Sequence, residues 1–317
     1  MEGYLESVRE DGSTVTSIPR DRDDYYEIIG KVMEIDGLLL EYITDQIEAD
    51  VRKGTRSLSP MAYEAICLIA VNQNGLALQY VKDQTEEMCL IAVKNDGKAL
   101  RYVKEQTEEI CLEAVREDPD SLCHVKKQTE EMCIAAVRKD GNVLWLVEEP
   151  TRAVFIEAVK QDGNALGTIK NKTRDICIAA VRQKGTALQY IKNQTEEICI
   201  EAVKQNGDAL QYVKNQTREI CLIAVKQSDS AIKYVKDQTE ELCLEAVKHH
   251  ATAIVFVKEE PKDLYLRIAH EAVKYHPSAL AYASYQTCDM CIDAVKGDPQ
   301  MYQYVAEQFK RYVKEYR

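Results

Sequence analysis

Eleven cysteines and five histidines are the residues in this 317-residue chain whose chemistry could go beyond packing. Eight of the cysteines, at positions 67, 89, 111, 133, 177, 199, 221 and 243, fall on a lattice of period 22, and Phe155 fills the one skipped step. A soft-metal or redox ladder would need thiols, but metal ligands must also converge at close spacing. One thiol per repeat, on a face otherwise made of Met, Ile, Ala and Val, reads instead as a small buried hydrophobe. Replacement of the thiol by Phe155 or Ala269 agrees with that reading. The single Cys-x-x-Cys, Cys288 to Cys291, has Cys291 on the lattice and Cys288 at an expected helix start, where a thiol pKa is lowered. A metal or redox role would need a second pair or a nearby imidazole. His270 and His276 are the only close candidates, so register accounts for the pair more simply.

Two basic columns also recur. One follows a repeated valine and runs Lys94, Arg116, Arg138, Lys160, Arg182, Lys204, Lys226, Lys248, Lys274, Lys296. The other runs Lys82, Lys104, Lys126, Lys170, Lys192, Lys214, Lys236, Lys258 and is broken by Glu148. Such ladders could track an anionic polymer. Helix-end charge answered by glutamate pairs at helix starts explains them as solvated faces, and a formal net charge of −12 opposes attraction to nucleic acid or an anionic membrane. Signals for catalysis are missing from the sequence: it has no Gly-rich phosphate loop, no His-Glu-x-x-His and no Gly-x-Ser-x-Gly elbow. No enzyme activity, metal or cofactor is expected.

The elements that must position these columns follow from the same lattice. Four residues after each cysteine lies a valine (Val71, Val93, Val115 and onward), four further on a glycine or substitute, and then two aliphatics at seven and ten. Extending the valine column to Val8, Met33, Val273 and Val295 gives thirteen units, the first a half-unit. In one unit Thr85 is an N-cap, Glu86 and Glu87 form an acidic first turn, and Met88, Cys89, Ala92 and Val93 share one helical face. Gly97 is expected as the C-cap. A second helix over about 98–104 should bury Ala99, Leu100, Tyr102 and Val103. Helices this short are unstable alone and must stack. The fold class is therefore all-α, an elongated α-solenoid spanning roughly 100 Å at 8–10 Å between packed helices. The organisation expected is divergent repeats over 1–59 with an insertion at about 44–60, a regular array over 60–260, and divergent repeats with a capping helix over 261–317.

The columns "QTEEICLEAV" and "NGxALxYV" resemble a repeat family catalogued as a domain of unknown function. The resemblance covers residues 60–260 well and the ends loosely. It implies an origin in a giant DNA virus or an amoeba-associated bacterium and a host-directed or virion-associated role, and it carries over no catalytic residue.

Function is then sought where the repeat is broken. Trp145 occupies a column that elsewhere holds Gln79, Arg101, Gln189, Gln211 and Lys233, so it should face outward, with small Cys123 and Gly167 as column neighbours leaving a notch on either side. An exposed Trp beside small residues suits a protein-binding anchor; the alternative is an indole folded back over a defect made by Pro150 and Phe155. Candidate partner-binding residues are Trp145, Cys123, Gly167 and Glu148, together with Arg52, Lys53 and Arg56 in the first insertion. Insertions in repeat proteins commonly form loops on the binding face, and a second, of four residues, lies within 261–268. The leading expectation is a protein-binding scaffold, with self-association into a structural assembly and nucleic-acid or phosphate-polymer binding through the lysine ladders as alternatives. No apolar run reaches the length of a membrane span, and the start "MEGYLESVREDGST" lacks the features of a signal peptide. Neither a membrane nor a secretory route is expected, and the chain is placed inside the cell or virion. Asn-x-Thr triplets such as 193–195 then read as helix starts.

Overall fold

Thr85 begins the local logic. Its extended backbone lets the side-chain hydroxyl accept the N–H of Met88, and Glu86–Asn95 follows as a ten-residue α-helix with Glu86 and Glu87 in its first turn. The computed structural model describes residues 1–22, 24–45 and 60–317. Across these, fourteen α-helices are each followed in sequence by a short 3₁₀ helix, and the chain is an all-α helical repeat solenoid. The first repeat is complete rather than a half-unit, with Glu2–Glu10 followed by Gly12–Ser17.

The second element departs from expectation: Gly97–Tyr102 is a 3₁₀ helix, not an α-helix over 98–104. The cause is Asp96, whose N–H closes the preceding helix on the Ala92 carbonyl at 2.9 Å while its own backbone is extended. Its carboxylate then accepts the N–H of Lys98 at 2.9 Å and starts the next element. One residue therefore ends the first helix and caps the second. Only six residues remain before extended Val103, room for two tight turns. Tyr102 is half-exposed, whereas Ala99, Leu100 and Val103 are buried as expected.

Gly97 is accordingly not a left-handed C-cap. A Cβ there would lie 2.6 Å from the Ala114 carbonyl oxygen of the next repeat, and the same clash recurs at Gly75 on Ala92 and at Gly207 on Ala224. The glycine column is set by how closely consecutive repeats approach. The core of a regular repeat is Met or Ile, Cys, Ala and Val from the α-helix, with a small residue, Leu and Val from the 3₁₀ segment. Fully burying each large aliphatic contributes about 1.5–3 kcal/mol.

Contacts divide the chain into two compact units, Met1–Gln161 and Asp162–Arg317. In the second, the four-residue insertion is not a loop. It adds one turn to the start of the helix Lys262–Tyr275, because four residues make about one α-helical turn. The final stretch holds separate short elements. Pro299–Tyr304 keeps the repeat's 3₁₀ geometry, and Glu307–Val313 follows as a short helix.

Candidate functional site

The cysteine column is tied to a glutamine five residues earlier, which the sequence reading did not single out. Gln84 donates Nε2 to the Tyr102 carbonyl of the next repeat at 2.9 Å, and its Oε1 accepts the Lys104 N–H at 3.0 Å. The Cys89 thiol points at that same oxygen, 3.7 Å away. The clamp recurs at Gln106, Gln128, Gln194, Gln216, Gln238 and Gln286, each bonding to a carbonyl 18 residues on and an N–H 20 residues on. Where Phe155 replaces the cysteine, Pro150 replaces the glutamine, so both polar partners disappear together. That paired loss was the available sequence signal. In the lengthened helix the buried Tyr265 hydroxyl accepts the Ser284 N–H at 2.8 Å and takes over the role of the glutamine oxygen.

Burial pushes these thiols up, Cys243 and Cys291 to about 11 and Cys89, Cys111, Cys133, Cys199 and Cys221 in the same direction. They are protonated packing groups at neutral pH. Among the described residues no cluster of three His, Cys, Asp or Glu side chains could hold a metal ion. His270 pairs with Asp293 at 2.8 Å, and His276 meets the Lys248 carbonyl at 3.0 Å.

Both basic columns have structural partners. Lys126, Lys214 and Lys236 donate Nζ to the backbone carbonyl of the column's preceding lysine at 2.8, 2.8 and 2.6 Å. The other column pairs with half-buried glutamates in alternate repeats: Arg138 and Lys160 with Glu157, Arg182 and Lys204 with Glu201, and Lys226 with Glu245. Hydrogen bonds from Lys160 and Arg138 hold Glu157 below the usual carboxylate range, and Arg182 does the same for Glu201.

Trp145 lies at the end of the 3₁₀ helix Gly141–Leu146, which is anchored by buried Val143 and Leu144. Its indole is 78% exposed and does not fold back over the neighbouring repeat. Cys123, in the same unit, is also exposed, and so is Glu148, whose backbone N–H enters the Gln128 clamp. Gly167 belongs to the second unit. There a Cβ would meet the Tyr190 ring at 3.2 Å, so its small size accommodates that ring. Arg52, Lys53 and Arg56 lie outside the described residues. Val255, in the Trp145 column of the second unit, is 54% exposed.

Clefts repeat beside the clamps. One of about 500 Å³ involves Lys82, Gln84, Glu86 and Lys104, and one of about 530 Å³ involves Lys192, Gln194, Glu196 and Lys214. A larger one, of about 830 Å³, lies beside Gln216, Lys236 and Glu240. All three mix both signs of charge.

Residues 64–106, 173–218 and 195–239 match the family described as Domain of unknown function (DUF4116), the last two stretches overlapping by one repeat. No curated protein and no solved structure matches this chain. No helix among the described residues is long and apolar enough to cross a membrane.

Proposed function

We propose that the chain is a non-enzymatic helical-repeat scaffold that binds a protein partner, with Trp145 as an anchor. The observation carrying this reading is Trp145 itself, 78% exposed on an element held by buried Val143 and Leu144. A large, rigid side chain fixed on a packed repeat loses little entropy on binding, which is why Trp dominates protein interfaces. The polar columns around it, paired within the fold, would supply a rim rather than catalytic groups. The resemblance noted above suggests a host-directed or virion-associated setting inside a cell.

Trp145 is the sole tryptophan, so its fluorescence reports on its own environment. Wild type and Trp145→Ala are each used as bait in cells that make the chain naturally, and recovered proteins are quantified by mass spectrometry. The expected result is a partner held by wild type and depleted with the variant, at unchanged circular dichroism. The purified partner should blue-shift the wild-type emission. Identical recoveries from two folded baits would remove Trp145 as the anchor. If the depleted partner is the chain itself, the self-associating structural reading replaces the scaffold, and sedimentation would show mass rising with concentration.

A further inference from the structure

One repeat in the second unit breaks the clamp in a chemically specific way. Lys172 stands where the regular repeats carry glutamine. Its ammonium turns back to donate to the Ile169 carbonyl. In regular repeats the glutamine oxygen accepts a backbone N–H 20 residues on, as Lys104 donates to Gln84, while a thiol faces the same oxygen. Here the corresponding donors are the Lys192 N–H and the Cys177 thiol. Neither has an acceptor among the described residues.

The surroundings change to match. A cleft of about 350 Å³ is lined by Lys170, Lys172, Cys177, Tyr190, Lys192 and Asn193, with no acidic residue, unlike the regular clefts that carry Glu86 or Glu196. Arg174 occupies the position of those glutamates on the following helix. Thr173 turns its hydroxyl to Asp175 at 2.5 Å and makes no side-chain cap on that helix. Tyr190 is 37% exposed and lines the cleft. Burial raises the Cys177 thiol, with Lys172 acting in the opposite direction and Asp175 adding to the rise.

An acceptor oxygen has therefore been removed from a point where two donors converge, and three lysines line the cleft there. We infer that the cleft among Lys170, Lys172 and Lys192 binds a phosphate group, one anionic oxygen taking the place of the missing glutamine oxygen on the Lys192 N–H. Charge-assisted hydrogen bonds of this kind are the strong class, and lysine binds phosphate as a point charge. This site is independent of the Trp145 surface.

The test titrates the full chain with inorganic phosphate and with phenyl phosphate at low ionic strength, read by calorimetry and by ³¹P line broadening, with acetate as a monoanion control. Saturable binding of one equivalent is expected, with acetate weaker; the tighter of the two phosphates tells a free anion from a monoester whose ring lies against Tyr190. Lys172→Gln restores the glutamine of the other repeats and should keep or raise the melting temperature while weakening binding at least tenfold. Lys170→Gln should weaken it as well, and Lys126→Gln, at a regular clamp, should not. The inference is overturned by absence of saturable binding, by equal binding to wild type and Lys172→Gln, or by a Lys126→Gln loss equal to that of Lys172→Gln, which would mean diffuse charge attraction.

Discussion

The glutamine clamp makes a quantitative demand that Gln216→Met can test. Methionine keeps the length and nearly the volume of the side chain but can neither donate from Nε2 nor accept at Oε1. It would leave the Tyr234 carbonyl without its 2.9 Å partner and the Lys236 N–H without its 3.0 Å partner. A fully buried orphaned group costs about 1–3 kcal/mol. This site is part-buried, so the lower end applies, and the two groups together should cost about 2 kcal/mol, or about 30-fold in the local opening equilibrium. Loss of the long 3.9 Å thiol contact from Cys221 adds little. Because repeat arrays are stabilised by unit and neighbour terms, one global midpoint would blur a local change. Native-state hydrogen exchange at the Lys236 amide reads it directly. Protection should fall by about 30-fold there and hardly at all at Lys104, whose clamp is on Gln84 in the first unit. Unchanged protection at Lys236 would show that the clamp is replaceable by water and that the glutamine column has another cause.

Two further outcomes follow from burial. Ser121 is 0% exposed, stands in a column otherwise filled mainly by alanine, and its hydroxyl has no hydrogen-bond partner among the described residues. Ser121→Ala should therefore stabilise the first unit by about 1 kcal/mol, seen as a higher thermal midpoint; a loss of stability would show that the hydroxyl is satisfied. In a thiol titration of the native chain, exposed Cys123 should react first and half-buried Cys288 next. The buried lattice thiols that burial pushes up, including Cys243 at about 11, should react only on unfolding. Fast labelling of Cys243 in folded protein would contradict its packing role.

Much of the architecture was legible because it repeats. The spacing of cysteine, valine, glycine and leucine identified the buried face, and Thr85 with Glu86 and Glu87 marked a helix start that the structure keeps. The glycine was located correctly but explained wrongly, since a glycine after a helix reads locally as a C-cap. Its reason, the Ala114 carbonyl 2.6 Å from a would-be Cβ, belongs to a different repeat. The insertion in 261–268 was visible as four residues out of register, but helix and loop differ only in where Tyr265 packs.

For the candidate sites, the sequence marked Trp145 as an outlier in its column, and the fold showed an exposed indole on an anchored element. It could not mark Lys172 as more than another lysine. The sequence by itself determined the repeat, its period and its buried face, because those depend on periodicity within one helix. Only the tertiary structure decided which groups meet across repeats: the glutamine oxygen with an N–H 20 residues away, and the unfilled place left where Lys172 interrupts that pattern. Hydrogen bonds require separate backbones to be placed to within a few tenths of an ångström, and a linear pattern of residue types does not contain that placement.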